Sequence, residues 1–111
     1  MKHLKTFENI NSALINKMDN IYNFVKDIYP EYDWINPKDY LIDGDWWNVV
    51  ENEDDWSIDL EQILEFEKEG KVVDANVKPE VEIYFQSEEE MDCYVYTDKI
   101  GNIRCLFLNI D

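Results

Sequence analysis

The sequence predicts a single α+β domain. A long N-terminal amphipathic helix packs on an antiparallel sheet of three or four strands, a C-terminal meander, and a second, short acidic helix lies alongside. Three observations carry this. Apolar residues recur at helical spacing up to Tyr29, and they alternate with polar ones from Val81 onward. Between these regions, residues 43–69 hold eleven Asp and Glu against one Lys.

The first helix is expected over residues 6–29. Phe7, Ile10, Leu14, Met18, Ile21, Val25 and Ile28 follow each other at steps of three and four, and Ile15, Tyr22 and Tyr29 widen the stripe. Thr6 is the expected N-cap. Pro30 ends the helix, because the residue before a proline avoids the helical region. Residues 30–44 are rich in prolines and aromatics and read as a packed connecting loop. Residues 45–52 suit a short strand or a helical turn, and 52–55 an acidic turn.

A second helix is expected over about 57–69. Trp56, Leu60, Ile63 and Leu64 share one side, Ser57 is placed to cap, and Gly70 is placed at C′. Glu61, Glu65 and Glu69 then share an edge at i, i+4 and i+8. Strands follow from Lys71 toward Val77, at Val81–Phe85, at Cys93–Tyr96 and at Ile103–Leu108, joined by hairpin loops. In the strand from Val81, the positions of Glu82, Tyr84 and Gln86 read as a wet face. Cys93 and Val95 are expected to share the buried face with Ile103, Cys105 and Phe107.

Composition bounds the function. The chain has 111 residues, a net charge of −16, 45% hydrophobic residues and 14% aromatics. That is enough apolar mass for a core, so the acidity is not that of a disordered tail. Residues 1–30 carry three acids and four bases, whereas 31–111 carry 23 acids and six bases. Such a surface avoids nucleic acid and anionic membranes and is drawn to basic ones. No run of 18 apolar residues suggests a membrane span, and Asn, Lys and Asp interrupt any signal-peptide apolar core in the first 20 residues, so the expected location is cytoplasmic. Twelve Ile and eleven Asn against two Ala and one Arg suit an AT-rich genome, as in low-GC bacteria, their phages and mobile elements.

Catalytic and cofactor signals are missing from the sequence. The one histidine, His3, lies at the terminus, and the two cysteines are not spaced for zinc. No GxGxxG, GxxxxGK[ST] or HExxH occurs. The run from Asp43 fails the EF-hand rule, because Trp47 and Asn48 stand where an oxygen ligand and a glycine belong. No cofactor and no metal are expected.

The expected partner is therefore a basic protein. The leading expectation is a non-enzymatic inhibitor from a phage or mobile element. It would mimic nucleic acid and occupy the basic groove of a nuclease or defence complex of CRISPR or restriction type. The alternatives are an immunity protein or antitoxin for a basic nuclease toxin, and an acidic metal-binding or carboxylate enzyme domain. The candidate binding residues are Asp43, Asp45, Trp46, Trp47, Glu51, Glu53, Asp54, Asp55, Asp59, Glu61, Glu65 and Glu69. Glu88, Glu89, Glu90 and Asp92 form a secondary acidic patch. The Trp46–Trp47 doublet cannot bury both rings on one side of a strand, so one of the two is expected to be exposed.

Overall fold

A computed structural model describes residues 12–109. The fold is α+β, with two antiparallel sheets. Among the described residues the α-helices are α1 (Ser12–Asn16), α2 (Met18–Ile28) and α3 (Leu60–Phe66). The strands are β1 (Leu41–Ile42), β2 (Asp45–Trp46), β3 (Val49–Val50), β4 (Lys71–Val72), β5 (Val81–Gln86), β6 (Asp92–Thr97) and β7 (Ile103–Leu108). The main sheet has five strands in the order β3-β5-β6-β7-β4, and β1 and β2 form a separate hairpin. The sheet is therefore wider than the expected three or four strands. The two additions, β3 and β4, are edge strands of two residues each.

The expected long helix is broken. Within the described residues, helical structure is interrupted at Lys17, whose N–H is shared between the carbonyls of Ala13 and Leu14. Lys17 Nζ donates to Asn102 Oδ1 in the loop between β6 and β7. The apolar stripe survives the break: Leu14, Met18, Ile21 and Val25 are all buried in one core. Burying each such side chain stabilises the fold by about 1.5–3 kcal/mol. Ile15, placed on the stripe by its spacing, lies at the exposed margin. The expected cap Thr6, and Phe7 and Ile10, lie outside the described residues.

The sheet has a core on each side. On one face, Val81, Ile83, Phe85, Cys93, Val95 and Leu106 pack against α1, α2, Trp34 and Tyr40. On the other, Tyr96, Cys105 and Phe107 pack against Trp56, Ile58 and Ile63. The acidic segment is thus not beside the first helix but on the opposite face. It is the connection from β3 at one edge to β4 at the other, and it crosses the whole sheet.

This crossover overturns the wet face expected for β5. Glu82 is buried. The alternation correctly separates the two sides of the strand, but the side bearing Glu82 has a lid of its own.

The cysteines also part company. Val95 pairs with Leu106 and Tyr96 with Cys105, whereas Thr97 pairs with Ile103, so the register shifts at this point. Arg104 is the extra residue of a β-bulge. Ile103 joins the core beneath α2, while Cys105 and Phe107 turn to the crossover side. Cys93 and Cys105 therefore lie on opposite faces, both buried free thiols. Burial pushes the Cys105 thiol up to about 12 and raises that of Cys93 as well.

Candidate acidic interface

The crossover is built from its caps inward. Asn52 opens a short 3-10 turn, Glu53–Asp55, by accepting from the Asp54 N–H, so the expected acidic turn is present. Trp56 follows in extended conformation and anchors the chain: its indole N–H donates to the Val50 carbonyl at 2.9 Å. The cap of α3 is Asp59, not Ser57. Asp59 Oδ1 accepts from the Gln62 N–H at 2.9 Å, and Gln62 Oε1 accepts in return from the Asp59 N–H, forming a capping box. Ser57 instead gives its N–H to Glu82 Oε2 at 2.8 Å.

The helix is shorter than expected at both ends. It stops at Phe66, with Glu67 as C-cap. Glu69 lies in the turn beyond, so the expected edge of three glutamates reduces to Glu61 and Glu65. Gly70 is not the C′ residue. Its place is set by packing: a Cβ there would sit 2.5 Å from the Leu106 carbonyl oxygen and 2.6 Å from Phe107 Cδ1. Ile63 points inward, while Leu64, expected on the same side, is 49% exposed.

With Trp56, Ile58 and Ile63 facing the sheet, the acids face outward. Glu53, Asp54, Asp55, Asp59, Glu61, Glu65 and Glu69 are exposed, and Glu51 is half-buried. None of them pairs with a described lysine or arginine. Glu67 differs, because it turns toward the sheet. There it holds Arg104 through two hydrogen bonds, Nε to Oε2 at 2.6 Å and Nη2 to Oε1 at 3.2 Å. This pairing raises the Arg104 pKa further. Arg104 Nη1 also donates to the Val77 carbonyl.

Asp43 and Asp45 sit on the β1–β2 hairpin. Asp43 has a φ of 54° and Gly44 a φ of 84°, the pair of positive values that a tight hairpin turn requires. Asp43 is therefore a turn residue. Of the doublet, Trp46 packs against the core below α2, and Trp47 is 44% exposed. The Trp47 ring lies 5.1 Å from Tyr40 and 5.9 Å from Tyr84, centroid to centroid.

The secondary patch has structural work to do. Glu89 Oε1 accepts from the Asp33 N–H, which lowers the Glu89 pKa. Asp92 Oδ1 accepts from the Tyr84 hydroxyl at 2.6 Å. Glu90 has a φ of 67° and turns the loop. Glu88 is exposed, and its N–H donates to the Asp33 carbonyl. The two bonds to Asp33 tie the loop to residues 30–36, where the Trp34 indole N–H donates to the Tyr29 carbonyl.

Buried within the site is Glu82. It receives the Tyr96 hydroxyl on Oε2 at 2.7 Å, the Ser57 N–H, and the Ser57 hydroxyl on Oε1 at 3.4 Å. Burial raises its pKa, and these hydrogen bonds oppose the rise. Sequence reasoning also passed over Asn48, Tyr84 and Tyr94, which line a cleft beside Trp47. The signal for Tyr84 and Tyr94 was their place on the outward side of adjacent strands.

Among the described residues, no three of His, Cys, Asp and Glu are grouped to hold a metal ion, and no helix is long and apolar enough to cross a membrane. No family model, curated protein or solved structure matches the chain.

Proposed function

We propose that the protein is a non-enzymatic acidic inhibitor whose crossover face occupies the basic nucleic-acid-binding groove of a partner protein. The partner class is a nuclease or defence complex of the CRISPR or restriction type, met by a phage or mobile element inside its host.

One observation supports the reading above others: the crossover separates its two kinds of residue. Its apolar side chains cover the sheet, and its outer side holds exposed carboxylates, none of which forms a salt bridge with a described lysine or arginine. The four inter-strand steps it crosses amount to ~19 Å. Glu53, Asp54, Asp55, Asp59, Glu61 and Glu65 therefore supply about one charge per 3 Å, close to the ~3.4 Å spacing along one DNA strand. Carboxylates so spaced meet the Arg and Lys of such a groove in place of phosphates, and the wider negative field steers the encounter.

Stability alone does not favour this arrangement. Glu61 and Glu65 repel at i, i+4, and Glu65 lies toward the negative end of α3. Among the described residues, Glu67, the crossover acid that turns inward, is the one that forms a salt bridge. Titration into a DNA-binding assay of a candidate nuclease tests the proposal. Stoichiometric protein is expected to displace the DNA, and more weakly as salt rises. Unchanged DNA binding at excess protein contradicts it.

A further inference from the structure

The crossover does not cover all of the sheet face it lies on. Beyond Glu82 and Tyr96, that face continues as Tyr84 and Tyr94, which are paired across β5 and β6 with ring centroids 5.7 Å apart. Trp47 stands 5.9 Å from Tyr84. Between these rings and the crossover lies an open cleft of about 310 Å³, lined also by Asn48, Asp55 and Asp92 and, among the described residues, by no lysine or arginine.

Asn48 is the informative residue. It is 1% exposed, and its Nδ2 donates to the Tyr84 carbonyl at 3.0 Å. That bond fixes the orientation of the amide, because a flipped group would set two acceptors against each other. Asn48 Oδ1 is left as a buried acceptor with no hydrogen-bond partner among the described residues. Buried polar atoms are nearly always satisfied, so the cleft calls for a donor. Asp55 and Asp92 make a positive donor preferable to a neutral one. The aromatic walls prefer a planar cation, which stacks, to a compact ammonium.

We infer that this cleft receives the guanidinium of an arginine side chain presented by the protein partner. The inference rests on the acidic docking reading above and names the residue type that the partner inserts beside the crossover. The guanidinium N–H groups face the Asn48 amide and the Asp55 and Asp92 carboxylates, while its plane lies against Trp47 or Tyr94.

The test is a ¹⁵N-correlation titration of the intact chain with Nα-acetylarginine amide. Nα-acetylcitrulline amide, of the same shape but uncharged, serves as the control. The Asn48 side-chain amide and Trp47 indole signals are expected to move saturably with the arginine probe and at least tenfold more weakly with citrulline. Trp47→Ala, at an exposed position, is expected to weaken the arginine response about fivefold through loss of the stacking surface. Glu61→Lys with Glu65→Lys is expected to leave it unchanged. Signals that stay still, or that respond equally to citrulline, overturn the inference and leave a water as the occupant of Oδ1. Partner binding that is lost on charge reversal of α3 but insensitive to Trp47→Ala also overturns it, while the docking reading survives.

Discussion

Tyr96 donates its hydroxyl to Glu82 Oε2 at 2.7 Å, and the two residues face each other directly across the β5–β6 ladder. Together with Ser57, this pair lets a carboxylate stay buried where the crossover meets the sheet. It also joins the crossover to the central strands by a polar contact within an otherwise apolar layer.

Removing the acceptor is expected to be costly. Glu82→Leu strands the Tyr96 hydroxyl and the Ser57 N–H, a loss on the order of 2–4 kcal/mol, measurable by urea unfolding. Glu82→Gln keeps an acceptor and is expected to cost less. The pH dependence has a definite sign. The folded-state pKa of Glu82 lies above its ordinary 4.5, so folding favours the protonated form. Its contribution to stability is fully present below 4.5 and is lost as pH rises through the folded value. Wild type is therefore expected to lose stability relative to Glu82→Gln as pH rises above 4.5. Parallel stability–pH curves for the two proteins contradict this.

Arg104 is expected to be a sensitive position. It is 14% exposed and forks onto Glu67 while capping the Val77 carbonyl. Arg104→Ala leaves Glu67 without its cation and is expected to destabilise by about 2–4 kcal/mol. Arg104→Lys restores the charge but not the fork, and so is expected to recover less than half of the loss. Chemical denaturation of the three proteins decides it.

The two thiols give a covalent readout of topology. Cys93 and Cys105 lie on opposite sheet faces, buried and with raised pKa values. Under native conditions both are expected to resist a thiol reagent, and both to react in urea. A disulfide formed on mild oxidation of the folded protein contradicts the placement.

The separate elements of the fold were easier to read from the sequence than their arrangement. β5, β6 and β7 were legible because Val81–Phe85 alternates cleanly and the loops between the strands are polar. The cysteine faces were not, since the bulge at Arg104 inverts the parity between Ile103 and Cys105. Glu82 read as wet because alternation tells the sides of a strand apart but not what covers them. The covering segment lies distant in sequence, and its strands β3 and β4 are too short to announce themselves. Asp43–Gly44 did carry a hairpin signal, and the weight of acids around it masked that signal. Of the candidate interface, the exposed acids from Glu53 to Glu65 were legible, and so was one exposed ring in the Trp46–Trp47 doublet, but not which of the two it is. Asn48 was not, because an orphaned oxygen exists only once the chain is folded.

Charge reversal separates stability from binding. Glu65→Lys relieves a repulsion with Glu61 and better suits the end of α3. It is expected to stabilise the fold by about 0.3–1 kcal/mol while weakening partner binding. A thermal melt alongside a binding assay reads both, and a variant that binds unchanged moves the interface elsewhere on the surface.

The most direct test is competition for a purified DNA-binding nuclease partner, followed by fluorescence anisotropy of labelled DNA across a salt series. Wild type is expected to release the DNA at stoichiometric protein in low salt. The triple variant Glu61→Lys, Glu65→Lys, Glu69→Lys is expected to fail at every salt while melting no lower than wild type. DNA release by the folded triple variant equal to that by wild type contradicts the account of the crossover as the docking face.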